Sequence, residues 1–171
     1  MLRYFALRLL EATTAFFITV FMWTMLTSHP AETSVPKYDT LNLSGPKPDE
    51  VYCMAHAIYH EARGEPFIGQ VAVAHVIKNR MQKGRWPDHA CAVVYQHRQF
   101  TDIQQTTPDF DSKQWREALR IAIVVLADLD EDPTSGATHY FAHNKIDPPS
   151  WSRKKTVHVR INNHTFLGER L

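Results

Sequence analysis

The segment that most constrains the fold is residues 71–77, VAVAHVI, which is apolar on nearly every side when it is drawn as a helix. A helix that is apolar all round must be surrounded by other elements, because no face of it suits water. We therefore predict a central helix over residues 68–81 with other helices packed around it. The hydrophobic fraction of 44% is enough to supply such a core.

Two further helices are predicted from start signals and apolar spacing. Pro48, followed by two acidic residues, is a good first turn, and the apolar residues after it recur at helical intervals. A third helix covers residues 112–129, with Asp111 or Ser112 as its N-cap. Both carry one apolar stripe, so we expect them to pack against the central helix.

In the last third of the chain the spacing of apolar residues changes from a helical to a strand pattern, which predicts a small sheet. Residues 138–141, 156–161 and 164–167 favour strands, and the pair 162–163 suits a tight hairpin turn. Helices followed by antiparallel strands make an α+β fold. The predicted domain is therefore mainly helical, with a small antiparallel sheet at its C-terminal end.

The N-terminal part differs in composition from this domain. Residues 12–26 are apolar, and Arg3 and Arg8 precede them, which favours a cytoplasmic N-terminus and an exported remainder. The span is marginal, since a helix needs about 20 apolar residues to cross a bilayer. We predict a signal anchor over residues 1–27; a cleaved signal peptide and a buried helix are the alternatives.

Residues 28–47 are rich in proline and are predicted to be a linker from this anchor to a domain over residues 48–171. This organisation places the domain in the periplasm or cell wall, attached to the inner membrane. A weak anchor also suits a domain that is held at the membrane and later released. The formal net charge of +1 gives no strong field, so we expect no nucleic-acid partner, and we expect a monomer.

The run 57–65, AIYHEARGE, is predicted to end the first helix with two carboxylates and an arginine. Gly64 can adopt the left-handed conformation that ends a helix, and Pro66 does not continue one. Glu61 then lies in the last turn, where the helix dipole disfavours a negative charge. A carboxyl group there that is also desolvated has a raised pKa and can donate a proton near neutral pH. On spacing alone, a solvated helix end with an ordinary Glu–Arg pair is the stronger interpretation.

Residues 57–80, AIYHEARGEPFIGQVAVAHVIKNR, resemble the signature of the SleB-type cell wall hydrolases, the spore cortex-lytic enzymes and their bacterial and phage relatives. Three weaker segments match in the same order, within residues 93–100, 136–141 and 149–166. One departure is Asn162, which stands where Gly is common in the family. The resemblance implies a lysozyme-like catalytic domain that acts on peptidoglycan and needs no metal or other cofactor.

The activity that this resemblance implies is cleavage of the β-1,4 bond between MurNAc and GlcNAc, by a lytic transglycosylase or a muramidase. Such a reaction needs a carboxylic acid that protonates the leaving oxygen. Glu61 matches the first glutamate of the family's EARGE motif and is predicted to be catalytic, with Glu65 as the second choice. The residues predicted to bind substrate are Glu65, Gln70, Phe100, His139, Tyr140 and Trp151, although pairing, capping or core burial would also account for them.

Two other functions remain as alternatives. His56 and His60 lie four residues apart, as do His139 and His143, and such pairs can bind zinc. With a glutamate base, the chain would then be a zinc-dependent peptidoglycan amidase or peptidase. The H-E-x-x-H pattern is missing, because Gly64 stands where the second histidine would fall. The third interpretation is a membrane-tethered module that binds the wall without cutting it.

The two cysteines, Cys53 and Cys91, do not make a disulfide scaffold. One bridge would form if the domain lies in an oxidising compartment. Two buried thiols are the alternative, because Cys53 stands in an apolar helical context. The sequence leaves both interpretations open.

Overall fold

The structure is a computed structural model that describes residues 45–97, 99–100, 103 and 106–170 of the 171-residue chain. The predicted membrane helix over residues 1–27, and almost all of the predicted linker over 28–47, lie outside the described residues. Within the described ranges, no helix has the length and apolar character that crossing a membrane requires.

The described residues contain four α-helices, which come before the strands along the chain. They are α1 (Pro48–Ala62), α2 (Phe67–Gln82), α3 (Ala90–Val94) and α4 (Lys113–Leu126). The three long helices confirm the predicted ones, and the Ser112 side chain caps α4 by accepting a hydrogen bond from the backbone N–H of Trp115. The sequence did not predict α3, because five residues are too few to show a helical period.

Helix α2 lies at the centre, as its all-round apolar character predicted. Every residue from 71 to 80 is buried. Val71, Ala74 and Ile77 belong to the apolar cluster that α2 shares with α1 and α4. Val73 and Val76 belong to a second cluster, which includes residues of the sheet. The helix is apolar on all sides because helices cover one side of it and the sheet covers another.

The sheet has three antiparallel strands, β1 (His139–Ala142), β2 (Lys155–Ile161) and β3 (His164–Glu169), in the order β1-β3-β2. A short 3-10 helix, η1 (Ser150–Lys154), precedes β2. The three strands confirm the predicted α+β architecture. Ile161 pairs with His164, so the predicted hairpin turn at residues 162–163 is also confirmed.

Asn162 explains how this hairpin turns without the glycine that the family often has there. Its φ angle is 44°, in the left-handed region. Asparagine enters that region more readily than most other residues with a side chain. The departure from the family pattern therefore keeps the turn.

The end of α1 differs from its prediction. The helix ends at Ala62, and Arg63 follows with right-handed angles (φ −58°, ψ −20°). Among the described glycines, Gly136 has a positive φ and Gly64 does not, so the predicted left-handed cap at Gly64 is wrong. Pro66 gives a sufficient physical reason for the stop, because a proline disfavours helical angles at the residue before it.

A disulfide joins Cys53 of α1 to Cys91 of α3, with 5.0 Å between their Cα atoms. The structure therefore decides between the bridge and the two buried thiols in favour of the bridge. The covalent link fixes α3 against the first half of α1.

A polar clasp fixes the loop that leads into β1. The side-chain amide of Asn79, near the end of α2, donates to Asp132 Oδ2 (2.9 Å) and to the carbonyl of Ala137 (3.0 Å). Asp132 also accepts from the backbone N–H groups of Thr134 and Gly136. Burial opposes ionisation of Asp132, but these hydrogen bonds outweigh it and lower its pKa. The clasp sets where β1 begins, and β1 carries part of the site described next.

Candidate active site

A cleft of about 1060 Å³ lies between the helices and the sheet. Its walls are built by the ends of α1 and α2, the loops that follow α2 and α3, strand β1 and the segment before η1. Among the described residues that line it, Glu61 is the sole carboxylate. The cleft is open to solvent and large enough to hold parts of a polymer chain.

Glu61 and Tyr140 meet at the floor of this cleft. The Tyr140 hydroxyl, on β1, donates a hydrogen bond to Glu61 Oε2, in the last turn of α1, over 3.1 Å. Desolvation, followed by the negative charge of Glu61, raises the pKa of Tyr140 well above its usual value. The phenol therefore stays protonated and acts as a donor that orients the carboxyl group. The arrangement provides one positioned carboxyl group in a half-buried place.

Aromatic rings form one wall of the cleft. The ring of His139 lies 5.6 Å from that of Trp151 and 5.9 Å from that of Trp86, measured between centroids. Desolvation, aided by the nearby charges of Lys155 and Arg80, lowers the pKa of His139 to about 4, so its imidazole is neutral at physiological pH. The wall presents flat, mostly uncharged surfaces of the kind that sugar rings stack on.

Five of the seven sequence-predicted site residues line the cleft together: Glu61, Phe100, His139, Tyr140 and Trp151. They come from α1, from the segment after α3, from β1 and from η1, so the fold brings them together from distant positions. Trp151 remains 39% exposed and is available for contact, whereas Phe100 is 6% exposed and belongs mostly to the core.

Glu65 and Gln70 do not line the cleft, although substrate contacts were predicted for both. The Glu65 carboxylate accepts hydrogen bonds from the side chains of Asn162 and Asn163, each over 2.9 Å. The Gln70 amide donates to the backbone carbonyl of Glu65 over 3.0 Å. Gln70 therefore stabilises the turn between α1 and α2, and Glu65 holds that turn against the β2–β3 hairpin. This geometry gives no support to the predicted contact of either residue with substrate.

The electrostatics of Glu65 follow from these bonds. Burial opposes its ionisation, but the hydrogen bonds from Asn163 and Asn162 outweigh the burial and lower the pKa of Glu65. Its side chain is 8% exposed. A carboxylate that is held ionised in this way is a poor proton donor at neutral pH.

The histidine pairs proposed for zinc are engaged within the protein. The two ring nitrogens of His56 lie within hydrogen-bond distance of the Tyr95 hydroxyl (3.0 Å) and the Thr106 carbonyl (3.2 Å). His143 Nδ1 lies 3.0 Å from the Thr165 hydroxyl. In the part of the chain that the structure describes, no three His, Cys, Asp or Glu side chains are grouped so that they could hold a metal ion.

The cleft is also lined by residues that the sequence did not predict as part of the site, among them Arg80, Arg85, Trp86 and Lys145. Asn79 and Arg80, near the end of α2, tie down the segment that leads into β1: Asn79 through the polar clasp, and Arg80 through a 2.7 Å hydrogen bond from its Nε to the carbonyl of Thr138. Only Trp86 carried a usable signal, as an aromatic residue in a loop between Gly84 and Pro87.

Comparison with known proteins identifies the family. The family model described as Cell Wall Hydrolase matches residues 64–167. The match begins three residues after Glu61, so it covers Tyr140 and the aromatic wall but not the carboxyl group of the cleft.

Curated relatives are spore cortex-lytic enzymes. The protein from Halalkalibacterium halodurans is 36% identical over 130 residues, which are 73% of this chain and 36% of that protein. The protein from Oceanobacillus iheyensis is 37% identical over 120 residues, which are 69% of this chain and 41% of that protein. The chain therefore spans about two fifths of the length of these relatives.

Solved structures agree with the fold. The catalytic domain of the Bacillus cereus SleB protein is 31% identical, with a TM-score of 0.59, and the match covers 73% of this chain and 94% of that one. The catalytic domain of the germination-specific lytic transglycosylase SleB from Bacillus anthracis matches with the same score and covers 98% of its chain. The resemblance seen in the sequence is confirmed, and the chain belongs to the cell wall hydrolase family.

Proposed function

We propose that this protein is a peptidoglycan glycosidase, a lytic transglycosylase that cleaves the MurNAc–GlcNAc β-1,4 bond with Glu61 as its proton donor. The observation that carries the proposal is the Glu61–Tyr140 pair, which lies in the cleft of a cell wall hydrolase fold. The transglycosylase title of the Bacillus anthracis neighbour favours this outcome over hydrolysis.

The reaction needs one carboxyl group in two successive roles. Protonated Glu61 donates its proton to O4 of GlcNAc as the bond from this oxygen to C1 of MurNAc breaks. The C6 hydroxyl of the same MurNAc then attacks C1 and passes its proton to the Glu61 carboxylate. The product has a 1,6-anhydro end, and Glu61 regains its proton without a second acidic residue.

Tyr140 supports both roles through its hydroxyl. Because its phenol stays protonated, it donates to Glu61 whether the carboxyl group is neutral or charged. A hydrogen bond to a carboxylate is stronger than one to a neutral acid, so the bond stabilises Glu61 after the first proton transfer. Trp151, His139 and Trp86 then offer surfaces on which the sugars next to the scissile bond stack.

The place of action that we propose is outside the cytoplasm, where the substrate lies. The Cys53–Cys91 disulfide supports it, since such bonds persist in oxidising compartments. We also propose that residues 1–27 anchor the domain to the inner membrane, that the domain acts as a monomer, and that its helical core is related to that of lysozyme. Oxidation of both cysteines in protein recovered from cells would support export, and free thiols in that material would contradict it.

The test is mass spectrometry of the fragments that the full-length protein, kept soluble in detergent, releases from purified peptidoglycan. We expect 1,6-anhydro-muramic ends, in equal yield with and without a metal chelator. Reducing ends alone would make the enzyme a muramidase. Cut stem peptides, or activity lost to the chelator, would favour the zinc amidase or peptidase instead. Protein that pellets with the peptidoglycan and releases no fragments would be a binding module.

A further inference from the structure

The cleft contains a buried arginine, Arg80, that forms no ion pair with an acidic residue in the described part of the chain. Arg80 is 5% exposed, and its Nε donates to the carbonyl of Thr138 over 2.7 Å. Its guanidinium carbon lies 5.7 Å from the centre of the Phe100 ring and 6.0 Å from that of Trp86. Among the described residues, Nη1 has no hydrogen-bond partner and no carboxylate forms an ion pair with Arg80.

Burying a guanidinium group without a counter-ion costs free energy, because the charged group loses its hydration. Desolvation lowers the pKa of Arg80, which reports the cost of keeping its charge. Aromatic faces and one backbone carbonyl offset only part of that cost. Because this residue lines the cleft, an anion that enters the cleft would supply the missing charge.

The net charge of the side chains that line the cleft also favours the binding of an anion. Among the described residues that line it, Arg63, Arg80, Arg85 and Lys145 are cationic, against the one carboxylate of Glu61. The chain as a whole is close to neutral, with 19 basic and 18 acidic residues. The positive charge is therefore a local property of the cleft, and it concentrates anionic ligands there.

We propose that Arg80 anchors an anion subsite of the cleft, and that the subsite binds a carboxylate attached through the lactyl group of muramic acid. This inference rests on the proposed function. Two sources supply the same chemistry: the free lactyl carboxylate of a peptide-free glycan, and the carboxylates of a stem peptide attached to it. Tyr140 connects the subsite to the reaction. Its hydroxyl donates a hydrogen bond to Glu61, and the nearby charge of Arg80 acts to lower the pKa of its phenol.

The subsite gives the enzyme a preference among glycan strands. A strand that carries muramic carboxylates would be held with its MurNAc beside Glu61, whereas an uncharged strand would leave Arg80 without a counter-ion. Arginine suits this role because its planar group pairs with both oxygens of a carboxylate. The loop around Trp86 and the end of α2 thereby contribute to substrate choice.

The first experiment changes the substrate and leaves the protein intact. We would compare four purified substrates: intact peptidoglycan, the same material with its carboxylates converted to amides, glycan strands stripped of peptides by an amidase, and stripped strands with amidated lactyl groups. We expect amidation to lower kcat/KM of the full-length wild-type enzyme by about 10- to 100-fold, the range of a lost charge-assisted hydrogen bond. Stripped strands that are cleaved faster than intact material identify the free lactyl carboxylate, and stripped strands that are cleaved more slowly identify the stem peptide. Equal rates on the two, with a loss on amidation of each, mean that the subsite accepts either carboxylate.

The second experiment asks whether Arg80 is the residue responsible. Arg80→Gln should lose about 10- to 100-fold on charged substrate and change little on amidated substrate, and Arg80→Lys should recover part of the loss. The matched control is Arg120→Gln, because Arg120 is exposed on α4 and pairs with Glu117 away from the cleft. A merely structural role for Arg80 would lower activity equally on both substrates.

The outcomes separate this inference from the proposed function. A wild-type enzyme that cleaves none of the four substrates at a glycosidic bond contradicts the proposed function. A wild-type enzyme that cleaves charged and amidated substrates with equal kcat/KM keeps that function and overturns the anion subsite. Equal losses of Arg80→Gln on both kinds of substrate also overturn it. If Arg80→Gln fails to fold, the substrate comparison with the wild type decides alone.

Discussion

Glu61 and Glu65 leave the same helix end four residues apart, yet the fold gives them opposite surroundings. Glu61 faces the cleft and accepts a hydrogen bond from the Tyr140 hydroxyl. Glu65 turns away from it and is fastened by Asn162 and Asn163 of the β2–β3 hairpin. Both contacts come from the sheet: Tyr140 lies 79 residues after Glu61, and Asn163 lies 98 residues after Glu65.

The difference shows that distant partners, and not the local motif, decide what a carboxylate can do. The bonds to Glu65 stabilise its charged form and lower its pKa, which suits a structural anchor. Glu61 has a phenol donor and an open cleft beside it, which suits proton transfer to a ligand. Five experiments would each contradict or refine this division of roles.

Glu61→Gln should lower the rate of peptidoglycan cleavage by about 10²–10⁴-fold, because the amide has no proton to donate to the leaving oxygen. The free energy of unfolding should change by about 1 kcal/mol or less, because the glutamine side chain keeps an oxygen that can accept the hydrogen bond from Tyr140. Turbidity clearing of peptidoglycan and urea unfolding measure the two quantities. A variant that loses stability and rate together would make Glu61 structural.

Loss of the Cys53–Cys91 disulfide should destabilise the whole domain and affect both glutamates alike. Replacing both cysteines with serine should lower the free energy of unfolding by about 2–5 kcal/mol, since the bridge restrains the unfolded chain. The cleavage rate per folded molecule should not change, because the bridge lies away from the cleft. Urea unfolding with and without a reductant gives the first number, and equal stability in both conditions would contradict it.

Glu65→Gln should show the reverse of the Glu61 pattern. The free energy of unfolding should fall by about 1–3 kcal/mol, because the charge-assisted hydrogen bonds from Asn162 and Asn163 to the carboxylate are weakened or lost. Activity per folded molecule should remain within a few-fold of the wild type. Glu131→Gln, an exposed position, is the matched control and should be neutral. A loss of activity like that of Glu61→Gln, with intact folding, would move the catalytic role to Glu65.

The stability contributed by Glu65 should depend on pH in a defined direction. Its pKa is lowered in the folded state, so the stabilisation is fully present above the unfolded value of about 4.3 and is lost as the pH falls through the folded value. The difference in unfolding free energy between the wild type and Glu65→Gln should therefore shrink below about pH 4. A difference that stays constant from pH 7 to acid would mean that the charge of Glu65 contributes nothing.

Tyr140→Phe should have the smallest effect of the five. It removes one hydrogen bond to Glu61 but keeps the ring that packs against Phe166. We expect a loss of about 1 kcal/mol of transition-state stabilisation, roughly a fivefold lower rate, from the typical net value of such a bond. A rate equal to the wild type would show that Glu61 needs no orientation by the phenol.

The fold was largely predictable because its main signals are local. The all-apolar run of α2, the start of α1 at Pro48 and the hairpin at residues 162–163 each follow from periodicity or turn chemistry. Helix α3 was missed because it is too short for a period. The left-handed cap at Gly64 was wrong because Pro66 offers a second way to stop the helix.

The site was less predictable, because its properties depend on tertiary contacts. Nothing in EARGE separates the roles of Glu61 and Glu65, since the partners of both lie in the sheet. Arg80 reads as an ordinary polar residue at a helix end, and only the packing of Trp86 and Phe100 around it makes it a buried charge. The sequence pattern identifies candidate residues, but their tertiary contacts decide which of them line the cleft and which have structural roles.

The most direct test of the central claim measures binding and cleavage by Glu61→Gln on the same isolated peptidoglycan. We expect this variant to sediment with the polymer as the wild type does, while mass spectrometry finds almost no new anhydro-muramic ends. The Glu65→Gln variant, assayed beside it at equal folded concentration, should produce those ends at a rate near that of the wild type. New glycan ends released by Glu61→Gln at the wild-type rate would contradict the role assigned to Glu61.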